Sequence, residues 1–545
     1  MGTYKGFDSV ELRRPTRSTF NLSHEKRVSG RIGKLHPILI TETMPNDSFR
    51  GSTEVLVKLA PMIAPIYHRL NLYVHYFFVP NRLLWKDWET FITGGRLGEA
   101  VTSPPVPPQV NIGSVLLAGG DYFDVGTLAD YLGVPIIPDA DYSAWNAASS
   151  TMDIMPFGAY YKCWYDYYRD RNYNDDTSLL PFASGFFGLD TDLLQLRDRC
   201  WEHDYFTSAQ LTTQRGAEVL IPLQGTGTGT VNYLDISQVK KSDGTAAAAS
   251  KFLGTNTIGA PQLAVGKLVA ADNTEVGRIE NIDDIDVDIT NSDVSVNDLR
   301  RALRLQEWLE RNELAGSRYN ESIYAHFGTK TSDGRLQRAE YLGGGKAVIQ
   351  ISEVMTTAYS EDGASQIVPP GNPAGRGSTY SDINRFSYTC EEHGFIVGIL
   401  SVMPTSAYMQ GMPRMFQNRN TFLEYPWPTF AHLGEQEVFD SEIFVNPTSV
   451  PEDRATQPVF GYQSRYADWK YIPSSSHGDF RTSLDFWHLT RKFSGQPVLD
   501  GDFVLYDEGL SNRIFNVSDV DNLWMYIYNK LTVKRSLPYF GTPQT

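Results

Sequence analysis

The sequence predicts a mainly β, loop-rich fold, and three observations support that prediction. Aromatic residues make up 12% of the 545 positions, and they favour the half-buried, pleated surface of a sheet over long helices. The 45 Gly and 30 Pro interrupt the chain often, as turns require. The apolar residues, 41% of the total, occur largely in short runs bounded by such residues, which is typical of strands.

The first clear strand signals lie between about residues 35 and 100. Short runs rich in Ile, Val, Tyr and Phe are separated there by Pro: LHPILITE (35–42), STEVLVKLAPMIAPIY (52–67) and NLYVHYFFVP (71–80). The apolar runs are too short to cross a bilayer, so we predict no membrane insertion. The first residues lack the apolar segment of a signal peptide, and we expect no export by a classical signal.

Two later segments carry helical periodicity. PFGAYYKCWYDYYRDRN (156–172) has Pro156 where a helix start favours proline. SVNDLRRALRLQEWLERNELAG (295–316) opens with a pair that resembles a capping box, Ser295 and Asp298, and it ends at Gly316. We therefore predict helices at 156–172 and 295–316, with their apolar and aromatic residues in the core.

The composition changes between about residues 216 and 292. Residues 225–260 contain six Gly, six Thr and five Ala, and their aromatic residues are Tyr233 and Phe252. This pattern predicts an exposed surface insertion with few core residues. A small separate β domain is the alternative, because VNYLDI and EVGRIENIDDIDVDI alternate apolar and polar residues. Shorter loops are predicted at 102–120 and 359–381.

Charge is distributed unevenly along a chain whose net charge is −16. The first 36 residues hold eight basic side chains against three acidic ones. A basic arm on an acidic body is suited to a polyanion. The alternative is a solvated terminal segment.

Motifs for catalysis and metal binding are incomplete. GTGTGT (225–230) precedes a strand-like run, whereas a phosphate loop needs a helix start there. Cys200 and His203 have ligand spacing, but no second pair accompanies them. We therefore predict no catalytic residue, no cofactor and no metal. The alternative is a β-sandwich carbohydrate-binding module or glycoside-active enzyme, with Glu424 and Asp485 as its carboxylate pair.

Long segments of the chain resemble one family. They resemble the major capsid proteins of the Microviridae, small phages with single-stranded DNA, and in particular the gokushovirus branch. The segments are FFVPNRLLWKDWETFITGG (77–95), PFGAYYKCWYDYYRDRNYN (156–174), DLRRALRLQEWLERN (298–312), RYNESIYAHFG (318–328), RLQRAEYLGGGK (335–346), EEHGFIVGILSVMPTSAYMQGMPRMF (391–416), WPTFAHLGEQEVF (427–439), VFGYQSRYADWKY (459–471) and YFGTP (539–543). Asn46 and Ala339 depart from the pattern, which has Gly and Pro at these positions.

The resemblance implies a fold and an assembly. The fold is an eight-stranded antiparallel jelly roll with long, partly helical insertions. Residues 1–36 would form the basic arm, and 37–545 a single domain that includes a protrusion loop at 216–292. Copies would assemble through pentamers into a T=1 icosahedral shell of about sixty chains. The location would be the virion, assembled in the cytoplasm of a bacterial host.

The resemblance also implies partners and site residues. The partners are circular single-stranded DNA, a small basic DNA-packaging protein, an internal scaffolding protein, a DNA pilot protein and a host surface receptor. The residues expected near DNA are Arg13, Arg14, Arg17, Lys26, Arg27, Arg31 and Lys34. The residues expected to contact the host are Gly225, Thr226, Gly227, Asp243, Gly244, Gly254 and Asn256.

Overall fold

The structure is a computed structural model that describes residues 16–540 apart from internal gaps. The gaps are 97–98, 118–121, 139–140, 149, 174–177, 187–190, 218, 220–267, 270–274, 278–295, 317, 356–359, 363–365, 369–372, 448, 450–455 and 518–519. The chain divides into two compact units, Met1–Arg215 with Glu310–Thr545, and Gly216–Leu309.

Most of the described regular structure is antiparallel β. The strands are β1 (Ser18–Asn21), β2 (His24–Gly30), β3 (His36–Thr43), β4 (Ser48–Leu59), β5 (Leu70–Pro80), β6 (Gln109–Asn111), β7 (Thr151–Asp153), β8 (Leu268–Val269), β9 (Glu275–Gly277), β10 (Glu340–Met355), β11 (Ser360–Asp362), β12 (Gln366–Val368), β13 (Pro373–Thr389), β14 (Gly394–Pro404), β15 (Glu435–Phe439), β16 (Val459–Ser464) and β17 (Leu523–Arg535).

Helices lie mainly in the connections between these strands. They are α1 (Asn81–Leu84), α2 (Trp88–Thr93), α3 (Glu99–Thr102), α4 (Ile112–Leu117), α5 (Leu128–Leu132), α6 (Tyr142–Ala147), α7 (Met155–Cys163), α8 (Val296–Ala315), α9 (Tyr319–Phe327), α10 (Asp440–Ile443), α11 (Gly501–Val504) and α12 (Gly509–Asn512).

Nine strands form one sheet in the order β1-β17-β4-β13-β10-β5-β14-β3, and β2 also pairs with β17. β10 joins the two parts of this sheet. Its residues 340–349 pair with β5, and its residues 350–355 pair with β13. The first part therefore contains β1, β2, β17, β4 and β13, and the second contains β5, β14 and β3.

The sheet curls, so that both parts share one hydrophobic core. Alternate residues of β17 are buried, and they cluster with apolar residues of β4, β5, β14 and β3. A buried polar contact crosses the same interior, because Asn529 Nδ2 of β17 donates to Ile38 O of β3 at 3.0 Å. The fold is thus mainly antiparallel β around a shared interior, as predicted at that level.

The second part of the sheet is buried on both faces. Every residue of β14 is buried, as is every residue of β5 except His75. Phe77 and Val79 face a second core that contains Trp85, α4, α5 and α7. The apolar runs in the sequence reflect this double burial, which removes the usual alternation of a half-exposed strand.

The predicted helices are confirmed in part. The segment 295–316 is helical as α8 (Val296–Ala315), but the prediction that its apolar and aromatic residues lie in the core is wrong, because Leu303 and Trp308 are exposed. The segment 156–172 forms α7, which continues as one π-helical stretch at Trp164–Tyr168, and Arg169 is extended. The prediction ran too far at its C-terminal end, because the polar residues 169–172 (RDRN) lie beyond the last helical turn.

The predicted loops are wrong in part. Residues 102–120 include β6 and α4, and residues 359–381 include β11, β12 and the start of β13 at Pro373. Gly and Pro suggested loops at these places, but the prolines of 102–120 all precede β6, and Pro373 is the first residue of β13, a position where a strand tolerates proline. Asn46 has φ of 71°, a left-handed conformation that Asn adopts more readily than most residues, as Gly does.

Candidate nucleic-acid and assembly surfaces

The described residues of the predicted basic arm lie in three places: Arg17 directly before β1, Lys26 and Arg27 in β2, and Arg31 and Lys34 in the turn between β2 and β3. Arg13 and Arg14 lie outside the described residues. Arg17 donates to Ser48 Oγ at 2.9 Å, to Lys534 O at 3.0 Å and to Asn46 O. Its guanidinium thus holds the start of β1 against β4 and β17.

Lys26 lies in the seam, which we define as the place where edge strands β2 and β3 approach each other. Its Nζ donates to Pro37 O at 3.0 Å and also to Tyr131 O of α5. Tyr131 OH in turn donates to Ser29 O at 2.8 Å. Burial lowers the pKa of Lys26 to about 8, and nearby Asp130 opposes that shift. This ammonium group serves the closure of the sheet.

Arg31 and Lys34 are paired with acids of the same chain. Arg31 contacts Glu508 and lies 3.6 Å from Asp521. Lys34 Nζ lies 2.8 Å from Asp198 and 3.7 Å from Glu508. The hydrogen bond from Arg31 to Glu508 raises the pKa of Arg31. These two cations fix the turn between β2 and β3.

Arg27 differs from the other described arm residues, because its side chain is 75% exposed. It pairs with Glu25 at 2.9 Å and lies 5.9 Å from the Tyr526 ring centroid. Arg27 also lies opposite Tyr526 in the β2–β17 register. It therefore belongs to a wider surface, which sequence reasoning missed.

We call this surface the outer face: the side of β2, β17, β4 and β13 that points away from the shared core. Its aromatic residues are Trp524, Tyr526, Tyr528 and Tyr380. The ladder places Tyr380 opposite Leu56 and Leu56 opposite Tyr526. Trp524 lies opposite Lys58 in the same way. Directly opposed residues share a face, so rings and cations lie side by side.

The outer face has an excess of positive charge. Its described cations are Arg27, Arg50, Lys58, Arg376, Arg385, Lys530 and Lys534, and its described acids are Glu25, Glu54 and Asp382. Each acid is paired with one cation of the face, namely Arg27, Lys530 or Arg385. The hydrogen bond from Lys530 lowers the pKa of Glu54. Four cations of the face are left without an acidic partner among the described residues.

The sequence contains a signal for this surface. In LWMYIYNKLTVKR (523–535), apolar residues alternate with Trp, Tyr, Lys and Thr. That alternation identifies a strand with one wet face, and aromatic rings together with cations on that face indicate a binding surface. The run of basic residues in the N-terminal arm directs attention elsewhere, because the strands of the outer face are brought together only by the fold.

A second exposed surface is aromatic and lies between β14 and β15. Met415, Phe416 and Phe422 are each about 70% exposed, and Tyr425 and Trp427 are exposed as well. We call residues 412–427 the aromatic segment. Residues 77–88, another aromatic stretch, are by contrast largely buried, whereas residues 412–427 are largely exposed.

Buried polar contacts hold the aromatic segment in place. Arg414 donates to Glu437 O at 2.6 Å and lies 3.5 Å from Glu442. Burial raises the pKa of Glu442, which accepts a hydrogen bond from Tyr205 OH at 2.9 Å. Arg414 thus anchors the aromatic segment to the rest of the chain, while its aromatic rings remain exposed to solvent. Exposed apolar patches of this kind mark interaction surfaces.

The predicted host-contact residues 225–256, which include the GTGTGT run, lie outside the described residues. Among the residues that the structure describes, no group of His, Cys, Asp and Glu is arranged to hold a metal ion.

The described helices include none long and apolar enough to span a membrane. Lys492 holds the pKa of Asp485 below its usual range, whereas a glycosidase acid needs a raised pKa.

Comparison with known proteins identifies the family. A family model described as capsid protein (F protein) matches residues 9–545. The chain belongs to this capsid protein family. It is 30% identical to capsid protein VP1 of Chlamydia phage 1, over 98% of this chain and 97% of that protein. It is 30% identical to VP1 of Bdellovibrio phage phiMH2K, over 97% and 96% of the two chains.

A third relative supports the same assignment. Capsid protein VP1 of Spiroplasma virus 4 is 27% identical over 97% of this chain and 95% of that protein. The predicted membership of the Microviridae, in the gokushovirus branch, is confirmed. The chain is therefore a structural protein of the virion, and the glycoside-active alternative is set aside.

Proposed function

We propose that copies of this capsid protein assemble through pentamers into a T=1 shell of about sixty chains around circular single-stranded DNA. The observation that supports assembly best is the aromatic segment. Its rings are exposed in the single chain while Arg414 and Glu442 fix its base. An ordered apolar surface of this kind is suited to burial against a second copy.

We also propose that the curled sheet is a jelly roll. If β1 and β2 count as one edge strand, the sheet contains eight strands along the chain. Their order is 1-8-3-6 in the first part, and 5-4-7-2 from the joining strand β10 through the second part. This order, with the first strand beside the last, is that of a jelly roll, which is common in viral capsids. The contact between Asn529 and Ile38 supports packing of the two parts against each other.

The basic arm is proposed to lie near DNA or a small basic packaging protein. The arm residues are Arg13, Arg14, Arg17, Lys26, Arg27, Arg31 and Lys34. Four of them, Arg17, Lys26, Arg31 and Lys34, are already held by partners within the chain. The proposal therefore depends chiefly on Arg13, Arg14 and the exposed Arg27, which would contact phosphates without sequence preference.

The remaining partners are proposed because the chain resembles the family. The segment 216–292 is proposed to form a threefold protrusion that meets a host receptor. Its composition of small, polar residues supports an exposed position. An internal scaffolding protein and a DNA pilot protein are proposed to take part in assembly.

Electron microscopy of the expressed chain, with its scaffolding protein where needed, tests the assembly proposal. We expect closed, nuclease-resistant particles from the wild-type chain. The double variant Phe416→Asp and Phe422→Asp should remain folded and fail to assemble, because it places charge on a surface that must become buried. Phe186→Asp is the matched control, since Phe186 is similarly exposed elsewhere. Normal particles from the double variant would contradict the proposed role of the aromatic segment.

A further inference from the structure

The outer face presents aromatic rings at regular intervals. Trp524 and Tyr526 are 47% and 37% exposed, and Tyr380 is 60% exposed. Rings two residues apart on one strand are about 7 Å apart, since each residue advances about 3.4 Å. The β13–β4–β17 register extends the same row across the sheet. The rings therefore extend both along β17 and across the sheet from β17 to β13.

The cations of the outer face surround these rings. Arg50, Lys58, Arg376 and Lys534 have no acidic partner among the described residues. Such an excess stands out in a chain whose net charge is −16. Unpaired Lys and Arg side chains bind phosphates and release their counterions, which gives a salt-dependent affinity.

A surface that combines exposed rings with cations favours single-stranded over double-stranded nucleic acid. The bases of a single strand can leave their neighbours and stack on protein rings. In a duplex, each base is covered on both sides by its neighbours, so exposed rings gain little. A flat sheet with aromatic residues on its surface is a known way to hold single strands by their bases.

We propose that the outer face binds single-stranded DNA directly, with bases stacked on Trp524, Tyr526 and Tyr380 and phosphates held by the surrounding cations. This inference rests on the proposed packaging function and adds the site and its mode of binding. The site prefers single strands over duplex, and stacking makes it tolerant of sequence.

Binding of a fluorescein-labelled 20-residue oligodeoxythymidylate by the full chain, followed by anisotropy, tests the proposal. The variant Trp524→Ala with Tyr380→Ala should bind at least tenfold more weakly. Both side chains lie on the outer face and not in the shared core, so the core is unaffected. Trp469→Ala with Tyr471→Ala is the matched control, with equally exposed rings elsewhere, and it should bind as the wild type does.

Salt dependence tests the role of the cations separately. The variant Arg50→Gln with Lys58→Gln should reduce the slope of log affinity against log salt by about 1.4. A duplex of 20 base pairs should bind at least tenfold more weakly than the single strand. Equal binding of duplex and single strand, or ring and charge variants that bind as the wild type does, would overturn the inference.

Particles distinguish this inference from the proposed function. If wild-type particles form and the ring variant packages an unchanged amount of DNA, the inference fails and the shell proposal stands. If the ring variant binds DNA normally but does not assemble, the outer face is a contact between copies, and the inference also fails. Absence of wild-type particles would contradict the shell proposal alone, because the binding test uses unassembled chains.

Discussion

Lys26 closes the seam between the two edges of the curled sheet. Its ammonium group bonds two backbone carbonyls, Pro37 O and Tyr131 O. The sequence showed a positive charge in a basic arm, and we expected a contact with DNA. The carbonyl partners come from residues 11 and 105 positions away, so only the fold reveals them. A sequence shows which side chains are charged, but it does not show which groups will bind them in the folded chain.

The lowered pKa of Lys26 gives a prediction for stability against pH. Its folded value of about 8 lies below the ordinary 10.5, so between these values the unfolded chain binds more protons. The free energy of unfolding therefore rises with pH in this window, by about 1.4 kcal/mol per unit. From pH 8 to 9.5 the wild type should gain about 2 kcal/mol relative to Lys26→Met, measured by chemical denaturation.

A matched substitution at an exposed lysine separates this effect from a general change of charge. Lys470→Met serves, because Lys470 is exposed. Its stability difference from the wild type should not follow the profile of Lys26→Met. Parallel pH profiles for the wild type and Lys26→Met would show that burial of this ammonium group has no energetic consequence.

At the scale of elements, the strands with the plainest sequence signal are those with the clearest burial. β5 and β14 appear in the sequence as apolar runs because both of their faces are covered. β17 appears as an alternating run because one face is wet. The pairing of β17 with β2 and β4 spans about 500 positions of sequence. No local pattern encodes that pairing, so the outer face was not predicted.

Neutralising the basic arm should lower the DNA content of particles. The variant Arg13→Gln, Arg14→Gln and Arg27→Gln removes three positive charges and leaves the seam and the Glu508 contacts intact. Fewer phosphates are then neutralised, so we expect a lower ratio of absorbance at 260 nm to 280 nm in purified particles. Arg300→Gln, Arg301→Gln and Arg304→Gln in α8 provides a control of equal charge. An unchanged ratio in the arm variant would exclude the proposed role.

Deleting residues 225–260 should preserve the fold and reduce adsorption to the host. The segment carries few large apolar residues, so its removal takes little from a hydrophobic core. Particle yield should remain near that of the wild type, while the fraction of particles bound to host cells should fall. Unchanged adsorption would assign this segment a role other than host contact.

At the scale of the whole molecule, family membership was predictable because nine separate segments resemble the family in the same order. Their separation along the chain makes a chance match improbable. The interfaces were less accessible to sequence reasoning, since an aromatic residue in a core and one in an interface have the same composition. Burial distinguished residues 77–88 from residues 412–427.

The mass of the assembled species, measured by analytical ultracentrifugation, tests the central proposal most directly. With a chain mass of 61.2 kDa, a shell of about sixty copies should sediment as a species of about 3.7 MDa, and a pentamer as one of about 306 kDa. We expect one or both of these species when the scaffolding protein is present. A chain that remains a 61.2 kDa monomer under those conditions would contradict the account.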